Sequence, residues 1–198
     1  MGIRAIGFLK HKDLKLDINT FLNKFREGLF RLGAFGFDSW RCKMENISNN
    51  NNNSEAEVKL ITFGDSSEVI AGYHDKILIA DSSFYGILRD VGLTKKTQIC
   101  RIEGAMAQLG DFKVRYGTVL TKDSKPSAIL FDIEYLPASL LTADFKALFD
   151  SVLSMMTESN QVKIDLLLPP IQENEKVEFS FKDLGELYFQ VKDQIIAA

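Results

Sequence analysis

Between residues 96 and 135 the chain places three long alternating segments in a row, KTQICRIEGAMAQLG (96–110), FKVRYGTVLT (112–121) and SAILFDIEY (127–135). No other feature narrows the fold as much. A strand reverses through a few residues only by pairing antiparallel with its neighbour, whereas a parallel return needs a crossover of about a dozen residues or more. Gly110-Asp111 and KDSKP (122–126) supply the turn chemistry for two such reversals. EVKLITFG (57–64), EVIAGYH (68–74) and KILIAD (76–81) read as three more strands with short turns. Around residue 40 the period is again two: Trp40, Cys42 and Met44 point one way, and Arg41, Lys43 and Glu45 the other. GIRAIGFL (2–9) is a short apolar run suited to a buried strand. Such a sheet, with about eight strands, tends to curl or close, which hides its edges.

The helical signals lie at the two ends of this strand block. Asp17 is a candidate N-cap, Ile18, Phe21, Leu22, Phe25, Leu29 and Leu32 make one apolar stripe, and Gly33 stands at the C-terminal cap position. SSFYGILRDVG (82–92) predicts a short helix capped by Ser82. A second long helix is predicted from Thr142, with Phe145, Leu148, Phe149, Val152, Leu153 and Met156 on one face. QVKIDLLLPP holds at most one strand before its double proline. Ser180 and Asp183 have capping-box spacing ahead of a terminal helix bearing Leu184, Leu187, Tyr188, Val191 and Ile195. The expected class is α+β: an antiparallel β-barrel or strongly curved sheet with flanking α-helices.

With 198 residues and 45% apolar content, residues 1–198 are expected to form a single domain burying roughly 70% of its unfolded surface. SNNNNNSE (48–55) has no apolar side chain and is read as a mobile Asn-rich loop. Cys42 and Cys100 have no CxxC spacing, which favours a reducing compartment over a disulfide or zinc framework. No apolar run approaches the ~18 residues of a membrane span, so the chain reads as soluble and intracellular. The net charge of −3 weakens a reading as a non-specific nucleic-acid binder.

Four patterns bear on chemistry. FGDSS (63–67) has the look of a Gly-Asp-Ser esterase motif, but the only histidines are His11 and His74, and none follows to serve as a late base. The pattern is read as a turn. Neither histidine has a second ligand at metal-binding spacing, and His74 is read as a surface residue. Lys113 and Arg115 share one strand face; Asp132 and Glu134 share another; Arg101 and Glu103 a third. Inside a barrel such rows hold a metal and a polyphosphate, as in triphosphate-tunnel hydrolases, although that site needs more acidic pairs than these. The simpler expectation is a wet outer face with cross-strand ion pairs of a few tenths of a kcal/mol. FDSWRCKM interleaves basic and aromatic residues as a single-stranded nucleic-acid platform does, yet Trp40 falls on the apolar side and is expected in the core. No catalytic, cofactor-binding or metal-binding set emerges. Lys113 and Arg115 are retained as candidate partner-binding residues. By elimination the chain reads as an interaction module, with the phosphohydrolase and the nucleic-acid binder as alternatives.

Several segments taken together carry a resemblance. ILIADSSFYGILRDVG, ICRIEGAMAQLGDFKVRYGTVL and ILFDIEYLPASLLTADFKALFDSVLSMM, with MGI at the start, resemble the Mediator subunit 20 family, also described as TATA-binding-protein-related-factor proximal proteins. The likeness is spread over residues 77–156 and rests on the order and spacing of weak motifs. It implies a nuclear, non-enzymatic subunit of the Mediator head module built as an antiparallel β-barrel with flanking helices. It further implies a heterodimer with Mediator subunit 18, which is anchored by the C-terminal helix of subunit 8. The pair is a mobile jaw supporting RNA polymerase II assembly at promoters. The resemblance brings no catalytic residue, cofactor or direct nucleic-acid contact.

Overall fold

The computed structural model describes residues 1–14, 16–49, 57–74, 76–157, 162, 164–172 and 175–196. Most of the predicted Asn-rich loop, residues 50–55, lies outside the described residues, while Ser48 and Asn49 end a strand.

In chain order the elements are β1 (Ile3–Lys10), α1 (Ile18–Arg31), β2 (Phe35–Asn49), β3 (Glu57–Phe63), β4 (Glu68–Tyr73), β5 (Lys76–Asp81), α2 (Phe84–Asp90), β6 (Leu93–Leu109), β7 (Phe112–Thr121), β8 (Pro126–Tyr135), β9 (Leu140–Leu141), α3 (Phe145–Thr157), β10 (Leu166–Leu167), β11 (Val177–Glu178) and α4 (Phe181–Ile196). The class is α+β, as expected. One nine-stranded sheet runs β10-β1-β8-β7-β6-β2-β3-β4-β5, and β9 pairs with β11 separately. Every pairing is antiparallel.

The sheet is curled into a half-barrel. Helix α4 touches β1, second from one edge, and also β4 and β5 at the opposite edge. Laid flat at ~4.8 Å per strand, those strands would stand about 34 Å apart, whereas a helix is only ~10–12 Å across. The sheet therefore wraps around α4. Of the two shapes expected, the curved sheet is the one formed: β5 and β10 are the two ends of the strand order. At the centre, Gly104 and Gly117 oppose each other on β6 and β7, where a Cβ on Gly104 would lie 2.0 Å from the Tyr116 carbonyl oxygen. Only glycine permits that approach.

Each helix is set by its own cap and stripe. Asp17 accepts the Thr20 N–H at 2.9 Å and opens α1, and Gly33 closes it at φ +87°. In α2 the N-cap is Ser83 rather than the expected Ser82 and makes no side-chain capping bond; its own N–H donates to Asp81 Oδ1 at 2.7 Å in the turn before the helix. Helix α3 begins at Phe145, three residues beyond Thr142, whose carbonyl accepts the Phe145 N–H. The predicted box at α4 forms: Ser180 N–H donates to Asp183 Oδ2 at 2.7 Å and Asp183 N–H to Ser180 Oγ at 3.3 Å.

The convex face is covered at both ends. Over β7 and β8, the α1 ring of Phe25 stands 4.9 Å from Tyr116 and 5.1 Å from Phe131, edge-on, and α3 brings Phe149 to 6.1 Å from Phe112. At the other end α2 contributes Leu88 to a second cluster with Ile47, Val58, Leu60, Val69 and Ala71. On the concave face Trp40, Cys42 and Met44 are buried, as their alternation predicts.

Candidate functional site

The period-two pattern of β7 and β8 puts Lys113 opposite Glu134 and Arg115 opposite Asp132, and β1 adds Arg4 opposite Glu134. All five lie on the concave face. The expectation of a wet outer face is corrected here, because α4 lies against this side of the sheet. Arg115 is 5% exposed, Asp132 0% and Glu134 7%. Desolvation changes the energetics: removing one member of a buried ion pair costs about 3–5 kcal/mol, against tenths for an exposed one.

The contacts form a closed network. Arg4 donates through Nε to Asp132 Oδ1 at 2.9 Å and through Nη2 to Asp132 Oδ2. Arg115 donates through Nη2 to Glu134 Oε2 at 2.9 Å and through Nε to Asp65 Oδ2 at 3.2 Å, and its Nη1 stands 3.5 Å from Asp132 Oδ1. Lys113 Nζ reaches the same Asp65 oxygen at 3.2 Å. Tyr188 of α4 donates its hydroxyl to Asp132 Oδ2 at 2.6 Å, and the Gly2 N–H donates to Glu134 Oε1 at 3.1 Å. Three cations (Arg4, Lys113, Arg115) thus meet three carboxylates (Asp65, Asp132, Glu134).

Protonation follows from this arrangement. Burial pushes the Asp132 carboxyl up, but the Arg4 and Arg115 charges and the hydrogen bonds from Arg4 and Tyr188 outweigh it and hold the group below the usual carboxylate range. Asp65 is likewise held low by Arg115 and Lys113 against its partial burial. Burial, and then the Asp132 charge, push Tyr188 well above the ordinary phenol value. Arg4, although buried, is held charged by Asp132. Burial also raises both free thiols, Cys42 well above the usual value and Cys100 to about 11.

Three members of the network escaped the sequence reading. Arg4 is the single charge in the apolar run GIRAIGFL, a legible signal, because a charge there needs a partner. Asp65 belongs to FGDSS, which forms the predicted turn but also sends its carboxylate inward. Tyr188 reads as part of an apolar stripe, and nothing local announces its hydroxyl's partner. Conversely, Arg101 and Glu103 do not join the others. They lie on the convex face with Arg41 and Lys43, so the three charged rows do not line one interior. His74 is exposed in a turn at φ +52°.

The network can fix β1, β7, β8, the β3–β4 turn and α4 relative to one another. Among the described residues no group of three or more His, Cys, Asp or Glu is placed to hold a metal, and no helix is long and apolar enough to cross a membrane. An open apolar groove lies elsewhere. A groove of about 560 Å³ beside β5 and α2 is lined by Val58, Tyr73, Leu78, Phe84, Val91 and Leu93. Leu78 is 51% and Val91 65% exposed.

Fold and site together define an α+β half-barrel module with a neutralised ionic core and an outward apolar groove. The chain belongs to the family described as TATA-binding related factor (TRF) of subunit 20 of Mediator complex, whose model matches residues 1–191. It is therefore a Mediator subunit by family. Among similar solved structures is a chain of the Schizosaccharomyces pombe Mediator head module, 9% identical, covering 83% of this chain and 98% of that one at a TM-score of 0.45. Another is the PH1012 protein from Pyrococcus horikoshii OT3, 10% identical, covering 81% of this chain and 93% of that one at a TM-score of 0.41. No curated protein sequence matches.

Proposed function

We propose that this chain acts, as a single domain, as a non-enzymatic subunit of the Mediator head module, a nuclear coactivator supporting RNA polymerase II initiation by protein–protein contact. Its direct partner in this reading is Mediator subunit 18, with the C-terminal helix of subunit 8 reached through subunit 18. The observation that carries the reading is the family match over residues 1–191. The groove beside β5 and α2 supports it, because contiguous exposed apolar surface marks protein interfaces. We assign the core of the contact to that groove. Lys113 keeps part of its side chain exposed beside Asp65. We propose it as an electrostatic rim of the contact, with Arg115 behind it holding Asp65 in place.

The charged rows that suggested a phosphohydrolase favour scaffolding instead. Lys113 and Arg115 are engaged by Asp65, Asp132 and Glu134, and α4 occupies the concavity a polyphosphate would enter. Co-expression with subunit 18 followed by size exclusion tests the pairing. One stable heterodimer is expected, burying roughly 1,200–2,000 Å². Leu78→Asp with Val91→Asp is expected to separate the chains, and Lys113→Glu to slow association with a steeper salt dependence. Separate elution of the wild-type chains at micromolar concentration rejects the dimer. Metal-dependent release of phosphate from a nucleoside triphosphate by the pure protein rejects the non-enzymatic reading.

A further inference from the structure

The convex face of β2 and β6, between the parts covered by α1 and α2, carries Arg41, Lys43, Arg101 and Glu103, which line one groove with no helix residue among its lining, Glu103 also bordering the start of α1. Register makes the arrangement unusual. Lys43 stands directly opposite Arg101, and Arg41 opposite Glu103. Like charges directly opposite on neighbouring strands are unfavourable, so a row of this kind calls for a counter-charge. The local supply is short. Glu103 lies 3.2 Å from Arg101 Nε, which is shielded from solvent yet makes no hydrogen bond. Glu45 is buried and shared among Lys43 at 2.7 Å, Lys96 at 3.9 Å and the Tyr85 hydroxyl at 3.1 Å. Four cations face two carboxylates on a chain whose net charge is −3.

We propose that this bare strand face docks an acidic segment of a partner protein, its Asp and Glu side chains seated on Arg41, Lys43 and Arg101. A shallow groove of about 260 Å³ runs between these residues and Thr62. Guanidinium groups donate to carboxylates in a bidentate manner, so the exposed parts of Arg41 and Arg101 suit incoming Asp and Glu side chains. A nucleic acid fits less well. The net negative field opposes a polyanion, and four cations release few counterions. Trp40, the aromatic next to Arg41 in sequence, is 1% exposed on the opposite face and offers no stacking platform. The patch is separate from the groove beside β5, so its loss leaves pairing with subunit 18 unchanged.

The test is fluorescence anisotropy of the intact chain with a fluorescein-labelled peptide rich in Glu and Asp, and with a labelled single-stranded oligonucleotide. Peptide binding is expected to weaken strongly between ~50 and ~200 mM salt. Arg41→Ser with Arg101→Ser is expected to cost about tenfold or more in affinity, given two charge-assisted contacts. Lys122→Ser with Lys125→Ser, which removes the same charge from the β7–β8 turn, is expected to leave affinity unchanged. Arg41→Ser alone gives a partial loss and serves should the double variant misfold. Equal loss in the two double variants, tighter binding of the oligonucleotide through the same residues, or no peptide binding at ~100 μM and low salt each overturns the proposal.

Discussion

Strands β7–β8 and strands β2–β6 carry the same kind of charged row in one sheet, and the two rows meet opposite surroundings. The first row, Lys113 and Arg115 against Asp132 and Glu134, faces α4 and is sealed. The second, Arg41 and Lys43 against Arg101 and Glu103, faces away and stays wet. The sealed row has matched opposite charges and a tyrosine hydroxyl; the wet row sets Lys43 against Arg101 beside the matched pair Arg41 and Glu103. A sheet tolerates mismatch only where water screens it, and burial demands pairing. Charge balance in a strand pair is thus a marker of whether something lies on top of it.

The largest expected effect breaks the sealed row. Asp132→Ala leaves Arg4 and Arg115 facing each other without their shared carboxylate, and is expected to cost about 3–5 kcal/mol in urea unfolding. A loss under about 1 kcal/mol, the value proper to an exposed carboxylate, would erase the contrast between the rows.

Acid gives the same contrast without mutation. The folded chain holds Asp132 and Asp65 below the ordinary carboxylate value, so the unfolded chain binds protons first as pH falls. The stability these groups contribute is present above about pH 4, and is lost as pH falls from there through their folded values. Tyr188 acts with the opposite sign: its folded value is raised, so its contribution is present below about pH 10 and lost at higher pH. Melting temperature against pH, compared with an Asp132→Asn chain, reads the acid arm, which is expected to shrink in the variant.

Tyr188→Phe removes one hydrogen bond to a buried charge and is expected to cost about 1.5–3 kcal/mol. The smallest effect belongs to the wet row: Arg41→Ala is expected to change stability by less than about 0.5 kcal/mol. If Arg41→Ala costs as much as Tyr188→Phe, the convex face is not bare.

Alternation told correctly which residues share a face. Val114 and Tyr116 are core, Trp40, Cys42 and Met44 are core, and Arg41 and Lys43 point away from them. It did not tell which face receives a helix. Asp and Glu are rarely buried, so alternation alone reads the Asp132 and Glu134 side of FDIEY as wet. Its burial depends on α4, which begins 46 residues after Tyr135 and whose stripe of Leu184, Leu187, Tyr188 and Val191 matches any apolar surface of the right width. The caps of α1 and α4 were legible because their hydrogen bonds span three residues. The partners of Arg4 were not, because Asp132 lies 128 residues away.

That separation governs the order in which the chain can become native. Strand β1 has β8 and the two-residue β10 as its neighbours, both far downstream. On a ribosome adding ~5–20 residues per second, β1 emerges with its mate still about 6–25 seconds from synthesis. During that interval an apolar strand bearing an unmatched arginine has no docking place. The β6–β7–β8 meander, contiguous in sequence, has all its pairings at hand once it is made. Assembly therefore begins in the middle of the chain and recruits its first strand late, since closing a long loop follows local pairing. In pulse-labelled hydrogen exchange during refolding, the amides of β6 and β7 are expected to gain protection before those of β1, and simultaneous protection would contradict this sequence of events.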